Sequence, residues 1–409
     1  MARANRFDGD WSFEGAVGDG PCGGQKPIAV VSTFPPTRCG LATYAEDLIA
    51  ALETVRSDTR ILRVAVAAPG NRAPLPQDVV VRRGDTKGWE AVARRLEERG
   101  VGVLVVQHEF KIFGGVHGAS ILSLMESRPC PIVTTLHTVS RPVPGPRLEV
   151  LRRVCAASDL IVVHTSKSMD TLRRAGVNPA KIHVIPHGVP AVAFELPGDP
   201  KGPAPRRRPL FLSYGHLRES KGYELTIAAL ARLRRDGVPF EYWIYGKDHP
   251  RRKTAARYRA RLVEQVREAG LGDRVQFVDE YLAAAELIRV VKACDAGLLP
   301  YRRLEQGSSG TLALFLACGR PVVASAFRAA REIVGLDCGR LFPVGDAAQL
   351  YEAVKTIATC SELRAGMMRS AHARAKAWRW EFVGRRYLKV MASAREDLRV
   401  GTTSFTGPG

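Results

Sequence analysis

The stretch from Leu298 to Ser325, LLPYRRLEQGSSGTLALFLACGRPVVAS, predicts a strand, a polar loop, a helix and a second strand. Pro300 ends the first apolar run, because proline cannot donate to a sheet. Thr311–Ala317 has a helical pattern, Gly319 stops the helix, and the PVVA run resumes as a buried strand. A glycine-containing loop that opens a helix presents backbone N–H groups to an anion; an ordinary strand-to-helix connection is the other interpretation.

The same alternation of strands and helices runs through most of the 409 residues. The strand segments are almost continuously apolar, which is typical of parallel sheets covered by helices on both faces. A segment rich in proline, glycine and arginine, 196–209, interrupts the pattern. We therefore predict an α/β protein with two Rossmann-like, doubly wound domains, 27–195 and 210–375, that face a central cleft and are joined by this linker.

The two ends of the chain differ from the domains in composition. Residues 1–26 and 400–409 predict disordered tails, and the N-terminal one lacks the apolar segment of a signal peptide. Residues 376–399 predict a helix that crosses back to the N-terminal domain. The eight cysteines lack CxxC spacing, which disfavours a disulfide framework or a zinc site and predicts a cytoplasmic location.

The charge is strongly basic, with 61 Lys and Arg against 41 Asp and Glu and a formal net charge of +20. Such an excess suits nucleic acid, an anionic membrane surface or phosphate-bearing substrates, or is simply spread over solvated faces. No zinc-finger, RNP-type or helix-turn-helix pattern accompanies it, so we predict no nucleic-acid partner. Lys253, Arg257 and Arg261 share one face of a predicted helix, which makes peripheral contact with an anionic membrane one hypothesis.

Polar residues follow several of the predicted strands. Ligands of open parallel sheets bind outside the carboxyl ends of the strands, so these residues converge on a single cleft. A lone histidine in such a place is more often structural, but several polar groups together favour a binding site. The strand-end residues are His108 and Glu109, His137, His187 and Gly188, Gly246 and Lys247, and Glu305–Gly310.

The motifs QHEFKIFGG, SYGHLRESKG, YGKDHP and LEQGSSGTLALFLACGRPVV, together with the strand-end PHGV, resemble those of family 4 retaining glycosyltransferases of the GT-B fold. The resemblance runs from about residue 27 to about residue 390. It implies transfer of a mannosyl- or glucosyl-like group from a nucleotide diphosphate sugar to a hydroxyl acceptor, which would be a saccharide, a lipid or a metabolite. It also implies no metal and no cofactor beyond the nucleotide sugar, which acts as co-substrate.

The resemblance assigns roles residue by residue, with Lys221 matching the family's phosphate-binding lysine. The implied catalytic residues are His137, Lys221 and Glu305. The implied donor-binding residues are Gly40, His216, Arg218, Gly246, Gln306, Ser308, Ser309, Gly310 and Thr311. His108 and Glu109 are implied on the acceptor side.

Three positions depart from the family pattern. Gln306 and Leu314 stand where the family has two glutamates, and His216 stands where an arginine is common. Leucine cannot bind ribose hydroxyls as a carboxylate does. A catalytically decayed nucleotide-sugar-binding protein, a sugar-nucleotide epimerase and a phosphorylase of the same fold are therefore the alternatives to a transferase. Turnover of a nucleotide sugar distinguishes an enzyme from a binding protein.

Overall fold

The computed structural model describes residues 26–67, 79–139, 145–196, 208–248 and 255–402. Nearly all of the two predicted tails, and the linker apart from its first and last residues, lie outside the described residues. Lys253 of the predicted basic helix also lies outside them. Within the described parts, the chain forms two separate parallel sheets flanked by helices.

The N-terminal sheet has seven strands. In chain order they are β1 Ile28–Ser32, β2 Ile61–Ala67, β3 Val79–Arg82, β4 Val103–His108, β5 Ile132–Leu136, β6 Leu160–Val163 and β7 Ile182–Val184. Its helices are α1 Gly40–Val55, α2 Thr86–Glu98, α3 Leu122–Ser127, α4 Pro146–Ala157 and α5 Ser166–Arg174. The strand order is β3-β2-β1-β4-β5-β6-β7, and every pairing is parallel.

The C-terminal sheet has six strands. They are β8 Leu210–Tyr214, β9 Glu241–Tyr245, β10 Val275–Val278, β11 Ala296–Leu299, β12 Val322–Ser325 and β13 Gly339–Phe342. The helices are α6 Tyr223–Arg235, α7 Ala255–Glu268, α8 Ala284–Ala293, α9 Gly310–Ala317, α10 Arg328–Ile333, α11 Ala347–Thr359, α12 Ser361–Ala375 and α13 Trp380–Thr402. Short 3-10 helices lie at Val116–Ile121, Pro179–Lys181, Glu219–Lys221 and Lys376–Trp378. The order β10-β9-β8-β11-β12-β13 again joins parallel neighbours.

The prediction of two Rossmann-like α/β domains is confirmed. Strands β1, β4, β5, β6 and β12 are buried along their whole length, as the continuous apolar runs predicted. The sequence analysis did not identify β3, because this edge strand has four residues and alternates between buried and exposed. Among the helices that the structure describes, none is long and apolar enough to cross a membrane.

Helix α13 packs against α1 of the N-terminal domain. The two backbones approach closely at Gly384, where a Cβ atom would lie 3.1 Å from the carbonyl oxygen of Ala51. The Tyr387 hydroxyl lies 2.9 Å from that of Tyr44 and 2.8 Å from that of Thr135. All three side chains are buried. The end of the chain thus completes the core beneath the N-terminal sheet, and α13 continues to Thr402, beyond the predicted end of the helix at 399.

Replacing Tyr387 with phenylalanine tests how much its hydroxyl contributes to the free energy of unfolding. Tyr387→Phe leaves two buried hydroxyls without their shared partner, which we expect to cost about 1–3 kcal/mol in the free energy of unfolding. Urea denaturation measures the difference, and Lys389→Gln, an exposed position on the same helix, is the control. Equal stability of Tyr387→Phe and the wild-type chain would contradict this role of the hydroxyl.

Candidate active site

Histidines end four neighbouring strands of the N-terminal sheet: His108 ends β4, and His137, His164 and His187 follow β5, β6 and β7. The ring centroids of His137 and His164 are 5.0 Å apart, and those of His164 and His187 are 5.6 Å apart. The Tyr44 ring of α1 lies 4.7 Å from His137 and 5.0 Å from His187, edge-on in both cases. We call His137, His164 and His187 the histidine row. It forms a continuous aromatic rim on the carboxyl edge of this sheet.

Hydrogen bonds fix the proton positions in this row. His164 Nδ1 lies 3.0 Å from the carbonyl oxygen of Ile185, so it carries the proton and its Nε2 accepts. His137 Nδ1, 3.4 Å from that Nε2, therefore donates, and His137 Nε2 must accept. The side-chain amide of Gln107 lies 2.8 Å from His137 Nε2. In the structure the Gln107 oxygen Oε1 faces this nitrogen; exchanging the amide oxygen and nitrogen makes the Gln107 nitrogen, which is buried without a partner among the described residues, the donor that His137 Nε2 requires.

Burial keeps the row neutral. It lowers the pKa of His164 to about 3, with a further contribution from His187. Burial, and then the neighbouring His164, hold the pKa of His137 well below its usual range, and burial lowers the pKa of His187. Both ring nitrogens of His137 have partners within the domain, and the catalytic role that the resemblance implies for this residue stays a prediction. Its carbonyl oxygen faces the second domain, where Ser308 Oγ donates to it at 3.1 Å.

The structure corrects the acceptor-side assignment of His108. The ring is completely buried, with its centroid 5.0 Å from that of Phe110 and 5.8 Å from that of Phe113. Burial, and then the charge of Arg147, lower its pKa to about 4. Neither ring nitrogen has a hydrogen-bond partner in the described part of the chain. A ring enclosed in the core cannot touch an acceptor.

Glu109, the other residue assigned to the acceptor side, is only partly buried. Its carboxylate accepts a hydrogen bond of 2.5 Å from Thr138 Oγ1. Thr138 directly follows His137, so Glu109 lies beside the end of β5 on the rim of the sheet. This position is compatible with an acceptor contact, which stays a prediction.

The loop 304–309 leads into α9 at the rim of the C-terminal sheet. Ser309 caps the helix by accepting a hydrogen bond from the Leu312 amide at 3.2 Å. The other amides of the first turn, those of Gly310 and Thr311, have no partner within the helix. A Cβ atom on Gly310 would lie 3.0 Å from His187 Nε2. The positive end of α9 therefore lies directly against the histidine row of the other domain.

Lys221 lies at the end of the turn Glu219–Lys221. Its ammonium nitrogen is 3.8 Å from the centroid of the Tyr301 ring, and burial, followed by the charge of Arg218, lowers its pKa. The next residue, Gly222, has φ +70°, and a Cβ there would lie 2.0 Å from the carbonyl oxygen of Pro300. Only glycine fits, and this close approach holds Lys221 beside the end of β11.

Tyr301 connects the lysine to the start of α9. Burial raises the pKa of Tyr301, but the adjacent Lys221, Thr311 and Ser309 together lower it below the ordinary value. These groups therefore surround a single phenol ring. The sequence analysis did not single out Tyr301, although it directly follows the strand-ending Pro300, and its position at a strand end was the available signal.

His216 joins this cationic group to the N-terminal domain. Burial, and then Arg218 and Lys221, lower its pKa, while hydrogen bonds to the backbone of Lys247 and Arg38 oppose the shift. Arg38 belongs to the loop before α1, so His216 contacts both domains. Gly40, the first residue of α1, has open space around it, since a Cβ there would meet nothing within 4 Å. The start of α1 is therefore accessible, as the donor-binding assignment of Gly40 requires.

Gly246 does not fit its assignment as a donor-binding residue. Its N–H donates to the carbonyl oxygen of Val278 at 3.0 Å, and its own carbonyl oxygen accepts from Arg259 Nη2 at 2.9 Å. A Cβ atom would lie 2.0 Å from the carbonyl oxygen of Gly215. The glycine is required for this packing, and both of its backbone groups are already engaged.

Glu305 also departs from its predicted catalytic role. Its carboxylate pairs with the guanidinium of Arg328, which in turn donates to the carbonyl oxygen of Val139 at 2.8 Å and to Thr171 Oγ1 at 2.9 Å. Glu305 and Arg328 line a cavity of about 580 Å³ between the two domains, and Lys167 of the N-terminal domain lines its other side. The carboxylate is thus engaged at the domain interface.

The two positions that carry glutamates in the resembled family hold no carboxylate here. Gln306 Nε2 donates to the Ser308 carbonyl oxygen at 3.1 Å, and the Gln306 carbonyl oxygen accepts from the Ala329 amide at 3.0 Å. Leu314 packs against an apolar cluster that includes Phe315. Gln306 therefore stabilises its own loop, and the partly buried Leu314 packs against the core.

Family models match both halves of the chain. The model for Glycosyltransferase Family 4 matches residues 39–192, and the model for Glycosyl transferases group 1 matches residues 208–359. Each model covers less than half of the 409 residues, and together they match most of the chain, which is therefore similar to family 4 glycosyltransferases in both halves. Its relatives include the D-inositol 3-phosphate glycosyltransferase of Xylanimonas cellulosilytica, 28% identical over 64% of this chain and 66% of that protein. The phosphatidyl-myo-inositol mannosyltransferase of Propionibacterium freudenreichii is 25% identical over 65% of each chain. The chain thus spans just under two thirds of the length of these relatives.

Solved glycosyltransferase structures share the fold. Sucrose-phosphate synthase from Thermosynechococcus elongatus superposes with a TM-score of 0.73 at 20% identity, covering 92% of this chain and 100% of that one. HepE of Anabaena in complex with UDP gives a TM-score of 0.70 at 18% identity, covering 90% and 100%. The predicted GT-B arrangement of two Rossmann-like domains is therefore confirmed.

The neutral histidine row predicts acid sensitivity. An unfolded histidine binds a proton below pH 6.5, whereas folded His164, with its pKa of about 3, does not. Its contribution to the free energy of unfolding is therefore complete above pH 6.5 and falls as the pH drops, by about 2 kcal/mol at pH 5. We expect urea denaturation of His164→Asn to show a shallower loss of stability between pH 7 and pH 5 than the wild-type chain.

The matched control is His117→Asn. His117 is exposed and has φ 51°, a left-handed conformation that asparagine tolerates. Its replacement should leave the pH dependence unchanged. A His164→Asn chain with the wild-type slope would show that His164 is not the group that makes the fold acid-sensitive.

Proposed function

We propose that this chain is a retaining glycosyltransferase that moves a mannosyl- or glucosyl-like group from a nucleotide diphosphate sugar to a hydroxyl acceptor. The observation that carries the proposal is the partly buried Lys221 beside Arg218 and Tyr301, next to the first turn of α9. Departure of a nucleoside diphosphate leaves negative charge on the β-phosphate. A desolvated ammonium group and the N–H groups of a helix N-terminus stabilise such a charge.

The names of similar proteins support a nucleotide diphosphate sugar as the donor and a mannosyl- or glucosyl-like group as the group transferred. The solved HepE complexes contain UDP and UDP-glucose, and one of the curated relatives is a mannosyltransferase. For this chain we propose a nucleotide diphosphate hexose as co-substrate, with no other cofactor and no metal. Lys221 and Arg218 then balance the diphosphate charge, and Ser308, Ser309, Gly310 and Thr311 contact it through the α9 terminus.

The acceptor is proposed only as a hydroxyl compound. The relatives' names include an inositol phosphate and a phosphatidylinositol, and a saccharide, a lipid or a metabolite satisfies the same chemistry. On α7, Arg257 is exposed, and Arg261 is exposed but paired with Glu219. Peripheral contact with an anionic membrane and a cytoplasmic location both stay predictions.

A binding protein that has lost its catalytic activity is the second candidate. Gln306 and Leu314 favour it, because neither supplies the carboxylate found at the matching positions of the resembled family. Such a protein would bind a nucleotide without turning over a nucleotide sugar. Both candidates share the phosphate-binding chemistry of Lys221, Arg218 and the helix terminus; the transferase is the stronger proposal because the named relatives are transferases.

Hydrolysis of a panel of donors by the purified chain separates the two candidates. We expect slow release of nucleoside diphosphate from at least one of GDP-mannose, UDP-glucose or their isomers. Excess chelator should leave the rate nearly unchanged, because Lys221 and the α9 terminus balance the charge on the leaving group. UDP or GDP binding with no turnover would favour the binding protein, and a rate abolished by chelator and restored by magnesium would contradict metal independence.

The Lys221→Ala variant tests whether the Lys221 ammonium group binds the diphosphate of the donor. A charge-assisted hydrogen bond contributes about 1.5–3 kcal/mol, so its loss should weaken nucleoside diphosphate binding by about tenfold or more. Titration calorimetry with UDP and GDP measures the effect. Lys355→Ala removes an exposed lysine paired with Asp236 in the same domain and is the control. If Lys221→Ala and the wild-type chain bind UDP and GDP with equal affinity, the assignment of Lys221 to the phosphate site is wrong.

A further inference from the structure

Arg328 contacts both domains and the loop 304–309 through one side chain. It begins α10, directly after β12, and only 10% of its side chain is exposed. One terminal nitrogen, Nη1, donates to the Val139 carbonyl oxygen and to Thr171 Oγ1 in the N-terminal domain. The other, Nη2, pairs with Glu305 on the loop. A planar guanidinium can hold these acceptors simultaneously, whereas an ammonium group on a flexible chain cannot.

The loop is also fastened to α10 through its backbone. The Arg328 amide donates to the Leu304 carbonyl oxygen at 2.8 Å, and the Ala329 amide donates to the Gln306 carbonyl oxygen at 3.0 Å. The same loop continues to Ser308, whose hydroxyl bonds the His137 carbonyl oxygen across the interface. The loop and the first turn of α10 therefore form one hydrogen-bonded unit, and the start of α9 extends from it.

A second contact joins α10 to the N-terminal domain one helical turn later. The Glu332 carboxylate accepts from the Ser166 amide at 2.6 Å and from the Lys167 amide at 3.0 Å. These are the first residues of α5, so the carboxylate also lies at the positive end of that helix. Because these two amides donate across the interface, their hydrogen exchange reports directly on separation of the domains.

We propose that Arg328 is a positioning residue that couples contact between the two domains to the placement of the loop 304–309 and the α9 terminus. The proposal rests on the proposed function for its catalytic consequence, since the α9 terminus is where the donor diphosphate binds. When the domains meet, Val139 and Thr171 fix the guanidinium, and the guanidinium fixes Glu305. When they separate, the arginine loses both acceptors in the N-terminal domain, so the guanidinium that pairs with Glu305 is no longer fixed.

Hydrogen exchange of the free protein tests the coupling without any donor. Arg328→Gln should accelerate exchange of the Ser166 and Lys167 amides by about tenfold, since it removes charge-assisted bonds across the interface. Thr171→Val changes only the N-terminal domain and retains the side-chain shape. Coupling predicts that it nevertheless accelerates exchange of the Arg328 and Ala329 amides, which bond the loop, by about threefold.

Arg331→Gln is the matched control. Arg331 lies three residues along the same helix, is exposed and lines the same interdomain cavity, but its hydrogen bond to the Ala326 carbonyl oxygen stays within its own domain. It should change neither set of amides. Unchanged exchange in β1 and β12 shows that each variant is folded. If Thr171→Val leaves the Arg328 and Ala329 amides at the wild-type rate, the coupling is refuted.

The catalytic consequence is read separately with UDP and with the donor identified by hydrolysis. Arg328→Gln should raise the Kd for UDP and the donor KM by about tenfold, with a smaller change in kcat. Arg328→Lys keeps the positive charge but loses the planar guanidinium with its two terminal nitrogens. It should therefore restore neither the Kd for UDP nor the donor KM. Restoration by lysine, or unchanged KM and Kd in Arg328→Gln, would overturn the positioning role. A wild-type chain that turns over no donor refutes the transferase, while the exchange data still decide the coupling.

Discussion

The contact between the loop 304–309 and the histidine row is the constraint on which the rest of this site depends. Parallel strands end with backbone groups that have no further sheet partner, so the loops beyond them must find partners elsewhere. In this structure, the loops at the carboxyl edges of the two sheets provide hydrogen-bond partners for each other. Ser308 donates to the His137 carbonyl oxygen, and the start of α9 lies against His187. The position of the α9 amides is therefore a property of the interface as well as of the C-terminal domain.

The two domains contribute different electrostatic properties to this interface. On the C-terminal side lie Lys221, Arg218 and the positive end of α9. On the N-terminal side the histidine row is neutral, with His164 buried, His137 and His187 partly buried, and hydrogen bonds to Ile185 and Gln107. A protonated row would add positive charge in a desolvated place where cations already repel one another. Neutral imidazoles provide a rigid aromatic wall without that repulsion.

The sequence was sufficient to predict the fold, because buried parallel strands leave an unmistakable apolar pattern. It missed only the weakest kind of strand, the short and alternating edge strand β3. The site was predicted less completely. Positions at strand ends were identified correctly, but the partners of their side chains were not. Arg328 bonds Val139 and Thr171 from 189 and 157 positions away, and no local pattern encodes such a pairing.

The same reasoning explains why individual roles were misassigned. Gly246 and His108 lie at strand ends, as ligand-binding residues do, yet a backbone approach of 2.0 Å accounts for the first and complete burial for the second. Position on a rim selects candidates, and only the surrounding contacts decide between binding and packing.

The departures at Gln306 and Leu314 have a consequence for recognition under the proposed function. In the resembled family, the carboxylate at the position of Leu314 binds the ribose hydroxyls. Here the Gln306 amide nitrogen is already bonded to the Ser308 carbonyl oxygen, and Leu314 packs in an apolar cluster. The phosphate side, by contrast, keeps a desolvated lysine, an arginine and a helix terminus. Charge-assisted bonds are stronger than neutral ones, so the diphosphate would supply the larger share of donor affinity and the nucleoside the smaller. Such a site discriminates weakly between nucleosides, and selection of the substrate then falls on the sugar and the acceptor.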